Sequence, residues 1–393
     1  MELYKEPSSI LMKFHKNEKS EMSEFQLSYL CGLMKEKVPN KVLEVGVAAG
    51  TTSAVILNCL SQVNSNATMY SVDLSEQYYK DGSKRTGYMI EQAKQEIANV
   101  CTHKLFLGKY LPEFLNEIGK GIDFVIIDTV HVLPGEILDF LAVFPYLTED
   151  AVIVLHDVIL HHENIKCVKE AYATKILLDT VVGEKIFLED SSSYAGYPNI
   201  GAFRINKDTE KYIWDVFSSL TINWAYMPEK RELDIYRKWY EQFYDKKYIE
   251  LFDRAVMLNQ DSAERRKVKS QKEEEQKRKR IREFYEALNQ TGKKVFIYGA
   301  STCAERMENY IQMLGFKIDG FLVSDSEPLE KKVQKNVYHI SEIPCEKENS
   351  VVLLGLDQKY HDIIRKNLTG FSTVFPVESD GYESFCKYIF EAI

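Results

Sequence analysis

Short apolar runs alternate with longer helix-like segments between Lys41 and Ile205, and this alternation limits the possible folds more than any other feature. The runs are VLEVGV (42–47), TMYSVDL (68–74), HKLFLG (103–108), IDFVIID (122–128), AVIVLHDV (151–158), TVVGEKIFL (180–188) and NIGAFRI (199–205). Continuous runs of Val, Ile, Leu and Phe are typical of strands that are buried on both faces. Residues 1–207 are therefore predicted to form a doubly wound α/β domain with a mostly parallel, seven-stranded sheet.

The last two of these runs are separated only by a loop around SSSYAGYP (191–198). No crossover helix fits in so short a connection, and a parallel pair needs one. The two runs are therefore expected to pair antiparallel at the edge of the sheet.

The pattern changes twice after the first domain. Residues 208–290 are rich in aromatic side chains and then in charge, and they are predicted to form a helical connector. Its charged part, 261–286, has no Gly or Pro and no apolar heptads, so a solvated helix is expected rather than a coiled coil. A polyanion-binding arm is the alternative. Residues 291–393 return to an α/β pattern and predict a smaller, Rossmann-like domain.

Composition excludes several classes of protein. The formal net charge of −9 and the pI of about 5.6 argue against a general nucleic-acid binder, since phosphate contacts need a positive surface. The seven cysteines include no CxxC pair, so neither structural zinc nor a disulfide framework is expected. The N-terminus lacks the apolar core of a signal peptide, and no apolar run is long enough to span a bilayer. A cytoplasmic protein without a membrane span is expected.

The segment KVLEVGVAAGTTSAVIL (41–57) is the strongest candidate for a ligand site. A buried strand ends at a turn that contains Glu44, Gly46 and Gly50, and a helix begins at Thr51. The glycines allow a sharp turn and a close ligand approach, and the helix start offers unpaired N–H groups. An acidic residue here suits an ammonium group better than a pyrophosphate, which favours S-adenosylmethionine over a dinucleotide. A strand–turn–helix without a ligand is the alternative.

The ends of the next two strands add candidate contacts. Asp73 ends the second strand, where a carboxylate can accept hydrogen bonds from both ribose hydroxyls. Its alternative role is a helix cap or a loop acid. Gly108 and Lys109 follow the third strand and are expected near the adenine, although a surface lysine there needs no function.

With this strand, its glycine turn and Asp73, the chain resembles class I S-adenosylmethionine-dependent methyltransferases over about residues 38–205. The segment 121–158 is similar to a subgroup with D-x-x-H after strand four and HD or DD after strand five, which includes the macrocin and mycinamicin sugar O-methyltransferases. The resemblance implies that Asp128 and Asp157 bind Mg²⁺ or another divalent cation and that His131 is the general base. This chemistry is sound, because a divalent ion lowers the pKa of a bound hydroxyl and imidazole takes its proton near neutral pH.

The sequence departs from that family pattern at three positions. Ala48 replaces a glycine of the turn, Val158 stands where catechol-type relatives often supply an Asn ligand, and His156 precedes Asp157 where the sugar enzymes tend to have a second acid. A metal site that lacks part of the family's ligand set is therefore an alternative. His156 is expected to be structural or to contact substrate. The alternative roles are helix-capping loop acids for Asp128 and Asp157 and a packed histidine for His131.

The second α/β unit shows little sign of a cofactor site. In VFIYGASTCAERM (295–307), the positions of a G-x-G-x-x-G motif read Gly299, Ser301 and Ala304, which argues against a dinucleotide or an oxidoreductase. The unit resembles Rossmann-like domains that are attached to bacterial surface-glycan enzymes. A docking or nucleotide-sensing role is expected, with a purely structural role as the alternative.

The sequence thus predicts an enzyme that moves a methyl group from S-adenosylmethionine to a sugar hydroxyl of a glycan precursor or a glycosylated metabolite. Tyr194 and Tyr197 are candidate acceptor contacts, and His161 and His162 are expected to be exposed. The expected partner is a small-molecule or glycan acceptor, and homo-oligomerisation is possible. The alternative is a methyltransferase-like binding module of a glycan pathway that has no turnover.

Overall fold

A computed structural model describes residues 22–162, 170–186, 188–189, 196–290, 292–300, 302–313, 315–329, 336–356, 361–371 and 373–374. The position of Tyr194 lies outside these residues. The chain divides between Glu264 and Arg265 into two compact units. Each unit has a hydrophobic core of its own, and each is described by itself.

A seven-stranded sheet forms the centre of the first unit. Its strands are β1 (Lys41–Val45), β2 (Thr68–Asp73), β3 (Thr102–Leu107), β4 (Ile122–Ile127), β5 (Leu147–His156), β6 (Glu184–Ile186) and β7 (Ile200–Arg204). They lie in the order β3-β2-β1-β4-β5-β7-β6. The strands β1 to β5 are parallel, whereas β7 is antiparallel to both β5 and β6. The prediction of a mostly parallel seven-stranded sheet with an antiparallel pair at its edge is confirmed.

Helices cover both faces of this sheet. They are α1 (Glu24–Lys37), α2 (Thr51–Val63), α3 (Tyr88–Glu96), α4 (Pro112–Ile118), α5 (Gly135–Val143), α6 (Ala173–Thr180), α7 (Lys207–Lys211), α8 (Ile213–Ser219), α9 (Lys230–Tyr240) and the start of α10 (Lys246–Gln290). Alternate side chains of a strand point to opposite faces. Phe124 of β4 therefore packs in a cluster with residues of α1 and α2. Val125 packs in another with residues of α4, α5, α8, α9 and α10. Both faces are buried, which explains the continuous apolar runs.

Aromatic residues after the sheet domain pack against α5. Trp239 Nε1 donates a hydrogen bond to the carbonyl of Ala142 (2.9 Å), and Tyr240 Oη donates to that of Leu138 (2.8 Å). Tyr244 makes the same kind of bond to the Leu141 carbonyl (2.7 Å). Residues up to 264, which the sequence assigned in part to a connector, thus complete the core of the first unit. The domain boundaries drawn from the sequence stay a prediction.

Helix α10 runs without interruption from Lys246 to Gln290, so the helix expected over the charged segment 261–286 is present. The hydrogen bonds of Asn259 tie its first half to the loop between α8 and α9, where the Asn259 Oδ1 accepts from the Trp224 backbone N–H at 2.7 Å. None of the described helices combines the length and the apolar character that a membrane span needs.

The second unit contains a five-stranded parallel sheet. Its strands are β8 (Lys294–Tyr298), β9 (Gly320–Val323), β10 (Val337–His339), β11 (Ser350–Leu354) and β12 (Thr373–Val374), in the order β10-β9-β8-β11-β12. Two described helices, α11 (Thr302–Met313) and α12 (His361–Asn367), accompany it. Gly299 ends β8 with φ +108°, and a Cβ on Gly355 would come within 2.9 Å of Ala304. Close packing of α11 against the end of β11 requires Gly355, whereas the left-handed backbone and a Gly355 carbonyl oxygen only 3.2 Å from a Cβ favour glycine at position 299.

The contact of α9 with α5 can be tested through the Tyr240 hydroxyl, which is fully buried. Tyr240→Phe leaves the Leu138 carbonyl without this partner, so a loss of about 1–3 kcal/mol in unfolding free energy is expected. All three tryptophans, Trp214, Trp224 and Trp239, lie in the first unit, so denaturant unfolding followed by tryptophan fluorescence reports on that unit. Tyr212→Phe at a 42% exposed position is the control and should change little. Equal effects of the two variants would contradict this contact.

Candidate active site

The turn after β1 approaches the loop after β4 very closely. Gly46 has φ +93°, and a Cβ on it would lie 1.8 Å from the carbonyl oxygen of Asp128. The Asp128 N–H also donates to the carbonyl of Val45 at 2.9 Å. Only glycine permits this approach in this backbone conformation. Ala48, at the position where the family pattern has a glycine, adopts the left-handed region with φ +50°.

Asp73 fixes this turn from the side of β2. Its Oδ2 accepts hydrogen bonds from the backbone N–H groups of Val47 (2.9 Å) and Ala48 (3.2 Å), and its Oδ1 accepts from that of Ser75 (2.8 Å). A carboxylate has about four lone-pair sites, so acceptor capacity remains for a ligand. The structure therefore shows a loop acid that holds the turn and also lines a cavity.

Glu44 lies beneath the turn and is 1% exposed. Its Oε2 accepts from the hydroxyls of Ser53 and Ser71, each at 2.7 Å, and the Ser71 hydroxyl lies 3.0 Å from His103 Nε2. Glu44 does not line the cavity, although the predicted contact with an ammonium group would require it to do so. The reason is the strand alternation, which turns this side chain toward α2 and away from the carboxyl edge.

Three further residues that were predicted to contact the cofactor, Gly50, Thr51 and Gly108, do not line the cavity. Thr51 is buried and contacts the Met89 sulfur at 3.4 Å, and Thr52 lines the cavity in its place. Gly50 packs against α3, and Gly108 faces the Glu76 side chain. Lys109 does line the cavity.

The carboxyl ends of β4 and β5 bring Asp128, His131 and Asp157 together. The His131 Nε2 lies 3.2 Å from an Asp157 oxygen and 3.8 Å from an Asp128 oxygen. One ligand atom from each of the three residues lies within 4.8 Å of the other two. Two carboxylates and an imidazole are suitable donors for a divalent cation. The residues therefore fit the predicted metal, and they place His131 close enough to be a ligand as well as a base.

Buried groups hold these three residues in place. His156 is 2% exposed, and its Nδ1 lies 3.1 Å from an Asp128 oxygen. Burial by itself raises the pKa of Asp128, but the neighbouring His156 and His131 outweigh this effect and hold the pKa below its usual value. The Asn199 amide donates to Asp157 at 2.6 Å. The expected structural role of His156 agrees with this geometry.

The loop that carries His131 is fixed by Glu136, a fully buried residue of α5. One Glu136 oxygen accepts from the His131 backbone N–H and from the Thr129 hydroxyl, and it lies 3.7 Å from His131 Nδ1. Burial raises the pKa of Glu136. His131 and Asp157 both have left-handed backbones, with φ +60° and +57°. Such conformations persist where surrounding contacts fix them, and they are common at functional sites.

A cavity of about 450 Å³ lies over these elements. One side, here called the turn wall, consists of Gly46, Val47, Ala48, Asp73 and Lys109. Another side, the acid–tyrosine wall, consists of Tyr110, Asp139, Tyr226, Glu232 and Tyr236. Asp128 and His131 also line the cavity, whereas Asp157 does not line it and contacts the His131 ring at 3.2 Å.

Several residues that matter here were not predicted from the sequence. Glu136 and Asp139 are acids inside an apolar helix, a signal that could have been noticed, since buried acids are rare without a partner. Asn199 and the residues of α9 lie far along the chain from the cluster, and only the folding of the chain brings them to the site. Tyr197 and the pair His161 and His162 do not line the cavity.

The buried Glu44 carboxyl should make stability depend on pH. Burial raises its pKa from 4.5 to about 7, partly offset by the hydrogen bonds from Ser71 and Ser53. A raised folded-state pKa contributes stability below about pH 4.5 that is lost as the pH rises through about 7. Between pH 5 and pH 8, Glu44→Gln should therefore lose less unfolding free energy than the wild type, by on the order of 2–3 kcal/mol.

Denaturant titrations at a series of pH values measure this difference. Glu117→Gln, which removes an exposed carboxyl of α4, is the matched control and should keep the wild-type pH dependence. Identical pH profiles for Glu44→Gln and the wild type would show that Glu44 does not titrate in this way.

Comparisons with known proteins bear on this site. Residues 43–158 match the family model Methyltransf_24, described as a methyltransferase domain. Similar solved structures include the O-methyltransferase TomG of Streptomyces achromogenes, with 14% identity over 52% of this chain and 92% of that chain and a TM-score of 0.37. An O-methyltransferase of Bacillus cereus matches with 17% identity over 50% of this chain and 90% of that one, with a TM-score of 0.34. With TM-scores below 0.5, these likenesses say nothing about the activity of this chain.

A search of curated proteins found no match. The family match spans β1 to the end of β5, and it therefore includes the turn of Gly46 and the cluster of Asp128, His131 and Asp157. The prediction of a methyltransferase is confirmed at the level of the domain: residues 43–158 of the first unit are a methyltransferase domain.

Proposed function

We propose that the first unit transfers the methyl group of S-adenosylmethionine to an acceptor hydroxyl, with the help of a divalent cation. The observation that carries the proposal is the cluster of Asp128, His131 and Asp157 beside a cavity that Asp128, His131 and the turn wall line together. A methyl donor on the turn wall and an oxygen nucleophile beside His131 would share one enclosed space. Such positioning supplies much of the rate enhancement of a transfer between two bound reactants.

The turn wall suits a cationic nucleoside. Gly46 leaves the backbone open, and Asp73 retains acceptor capacity for ribose hydroxyls. Glu44 stays beneath the turn and supports it through Ser53 and Ser71. We therefore assign Glu44 to the support of the turn and Asp73 to contact with the ligand.

Asp128 and Asp157 would hold the cation, with His131 beside them. A bound divalent ion lowers the pKa of an acceptor hydroxyl and orients it. The His131 imidazole is placed to take the hydroxyl proton, because Glu136 fixes its backbone and faces its Nδ1. The bond from sulfur to the methyl carbon breaks as the bond from oxygen to that carbon forms.

The acceptor is proposed to be a sugar hydroxyl of a glycan precursor or a glycosylated metabolite. Support comes from the tyrosine rings of the acid–tyrosine wall, since aromatic faces pack well on sugar rings. For the second unit, a docking or nucleotide-sensing role stays a prediction.

Substitutions at the cluster test the chemistry. Asp128→Asn and His131→Gln should each lower methyl transfer by about 10²–10⁴-fold, because they remove a charge and a base at the reacting oxygen. Affinity for S-adenosylhomocysteine should stay within about threefold of wild type. A chelator should abolish transfer and Mg²⁺ should restore it. Mass spectrometry with a deuterated methyl donor and a set of glycosides and phenols measures the transfer.

Asp179→Asn, at an exposed acid of α6, is the control for these variants and should keep full activity. Full activity of Asp128→Asn and His131→Gln would contradict the assigned roles. Binding of S-adenosylhomocysteine without any transfer would favour the binding-module alternative.

Gly46→Ala tests the turn wall. The new Cβ would meet the Asp128 carbonyl, so the turn must move. We expect a loss of about 1–3 kcal/mol in stability beyond the control and at least tenfold weaker binding of S-adenosylhomocysteine by calorimetry. Gly121→Ala is a matched control, because Gly121 has φ +85° and open space around a Cβ. Equal losses in the two variants would mean that backbone strain alone, and not the close approach to Asp128, requires Gly46.

A further inference from the structure

The acid–tyrosine wall has a chemical character that the transfer reaction itself does not require. It combines two carboxylates, Asp139 and Glu232, with three tyrosines. Glu232 and Tyr236 lie four residues apart on α9 and therefore share one face of that helix. Tyr236 donates its hydroxyl to Asp139 of α5, which joins the two helices at the wall.

The three tyrosines lie close to the two carboxylates. The rings of Tyr110 and Tyr236 lie 6.4 Å apart at an angle of 67°. Burial, together with Glu232, Asp139, Glu136 and Tyr110 nearby, raises the pKa of Tyr226 well above its usual value. Aromatic faces and carboxylates around one space are the usual surroundings of a bound ammonium group.

Among the residues that the structure describes, no lysine or arginine forms an ion pair with Asp139 or Glu232. Among the described residues that line the cavity, Lys109 is the only lysine or arginine, and it belongs to the turn wall. On α9, Arg237 is engaged by Asp253 at 2.7 Å and Lys230 by Asp234 at 2.5 Å. Arg231 is exposed and does not line the cavity. Apart from Lys109 on the turn wall, the described residues that line the cavity thus bring no lysine or arginine charge to these carboxylates.

Burial makes this negative charge costly. It raises the pKa of both Asp139 and Glu232 to about 7, with Tyr236 offsetting part of the shift at Asp139. A neutral hydroxyl also donates to a carboxylate, but it leaves the charge uncompensated. An anionic group such as a phosphate or a carboxylate would add repulsion. A cationic ligand is the class that removes the cost.

We propose that the acid–tyrosine wall binds a protonated amine of the acceptor, so that the substrate is a hydroxylated compound with an ammonium group, such as an amino sugar, rather than a neutral or phosphorylated one. The inference rests on the proposed function for the position of the reacting hydroxyl. It goes further by stating the charge of the substrate, which the residues proposed for methyl transfer do not determine.

The test uses the full chain saturated with S-adenosylhomocysteine and matched sets of probes. Each sugar set consists of a free-amine methyl pyranoside (glucosamine, galactosamine or mannosamine), its N-acetyl derivative and the corresponding uronate. A fourth set is tyramine, N-acetyltyramine and 4-hydroxyphenylacetate. Calorimetry should show that the amine of at least one set binds at least tenfold more tightly than both of its partners.

Variants of Glu232 assign this preference to the wall. Glu232→Gln should reduce the preference for the amine about tenfold, and Glu232→Lys should shift it toward the acid of the same set. Glu241→Gln is the matched control, because it removes the same charge just after α9 from an exposed residue that does not line the cavity. It should change the preference by less than about twofold.

The inference is overturned if no amine binds more tightly than its partners while the cofactor product is bound, or if the preference survives Glu232→Gln. Failure of the proposed function is a different result. Amines that bind through Glu232 but accept no methyl group would leave the inference standing and contradict the enzyme. Methyl transfer to a neutral or anionic acceptor alone would support the enzyme and contradict the inference.

Discussion

The close approach of Gly46 to the Asp128 carbonyl is the constraint on which the first unit depends. It brings the turn after β1 against the loop after β4, at the carboxyl edge of a parallel sheet. A ligand on the turn and a nucleophile beside His131 are neighbours only because these two loops touch. The hydrogen bonds of Asp73 to the turn and of His156 to Asp128 hold the two sides of this contact. No larger side chain at position 46 is compatible with it.

Much of the site follows from the periodicity of the sequence. Buried runs place Asp73, Asp128 and Asp157 at strand ends, and the carboxyl ends of parallel strands meet at one edge. Their proximity could therefore be predicted without knowledge of side-chain contacts. Glu44 differs, because it lies within β1 and not in the turn as predicted, so the alternation of side chains along the strand decides which way its carboxylate points.

The acid–tyrosine wall is the part that the sequence could not reveal. Glu232 and Tyr236 lie about one hundred residues beyond the His131 loop, and they reach the cavity because Trp239, Tyr240 and Tyr244 bind carbonyls of α5. A pattern of aromatics predicts packing against some neighbour but does not identify that neighbour. The same packing joins Tyr236 of α9 to Asp139 of α5. The residues that hold the first unit together therefore also determine the chemistry of the acid–tyrosine wall.

A crystal of the full chain grown with S-adenosylhomocysteine and Mn²⁺ provides the most direct measurement. Anomalous diffraction locates the metal independently of the protein density. The account predicts one peak within about 2.0–2.6 Å of oxygens of Asp128 and Asp157, and beside His131. It also predicts nucleoside density against Gly46 and Asp73. A metal bound elsewhere, or the nucleoside at a different edge of the sheet, would contradict the account.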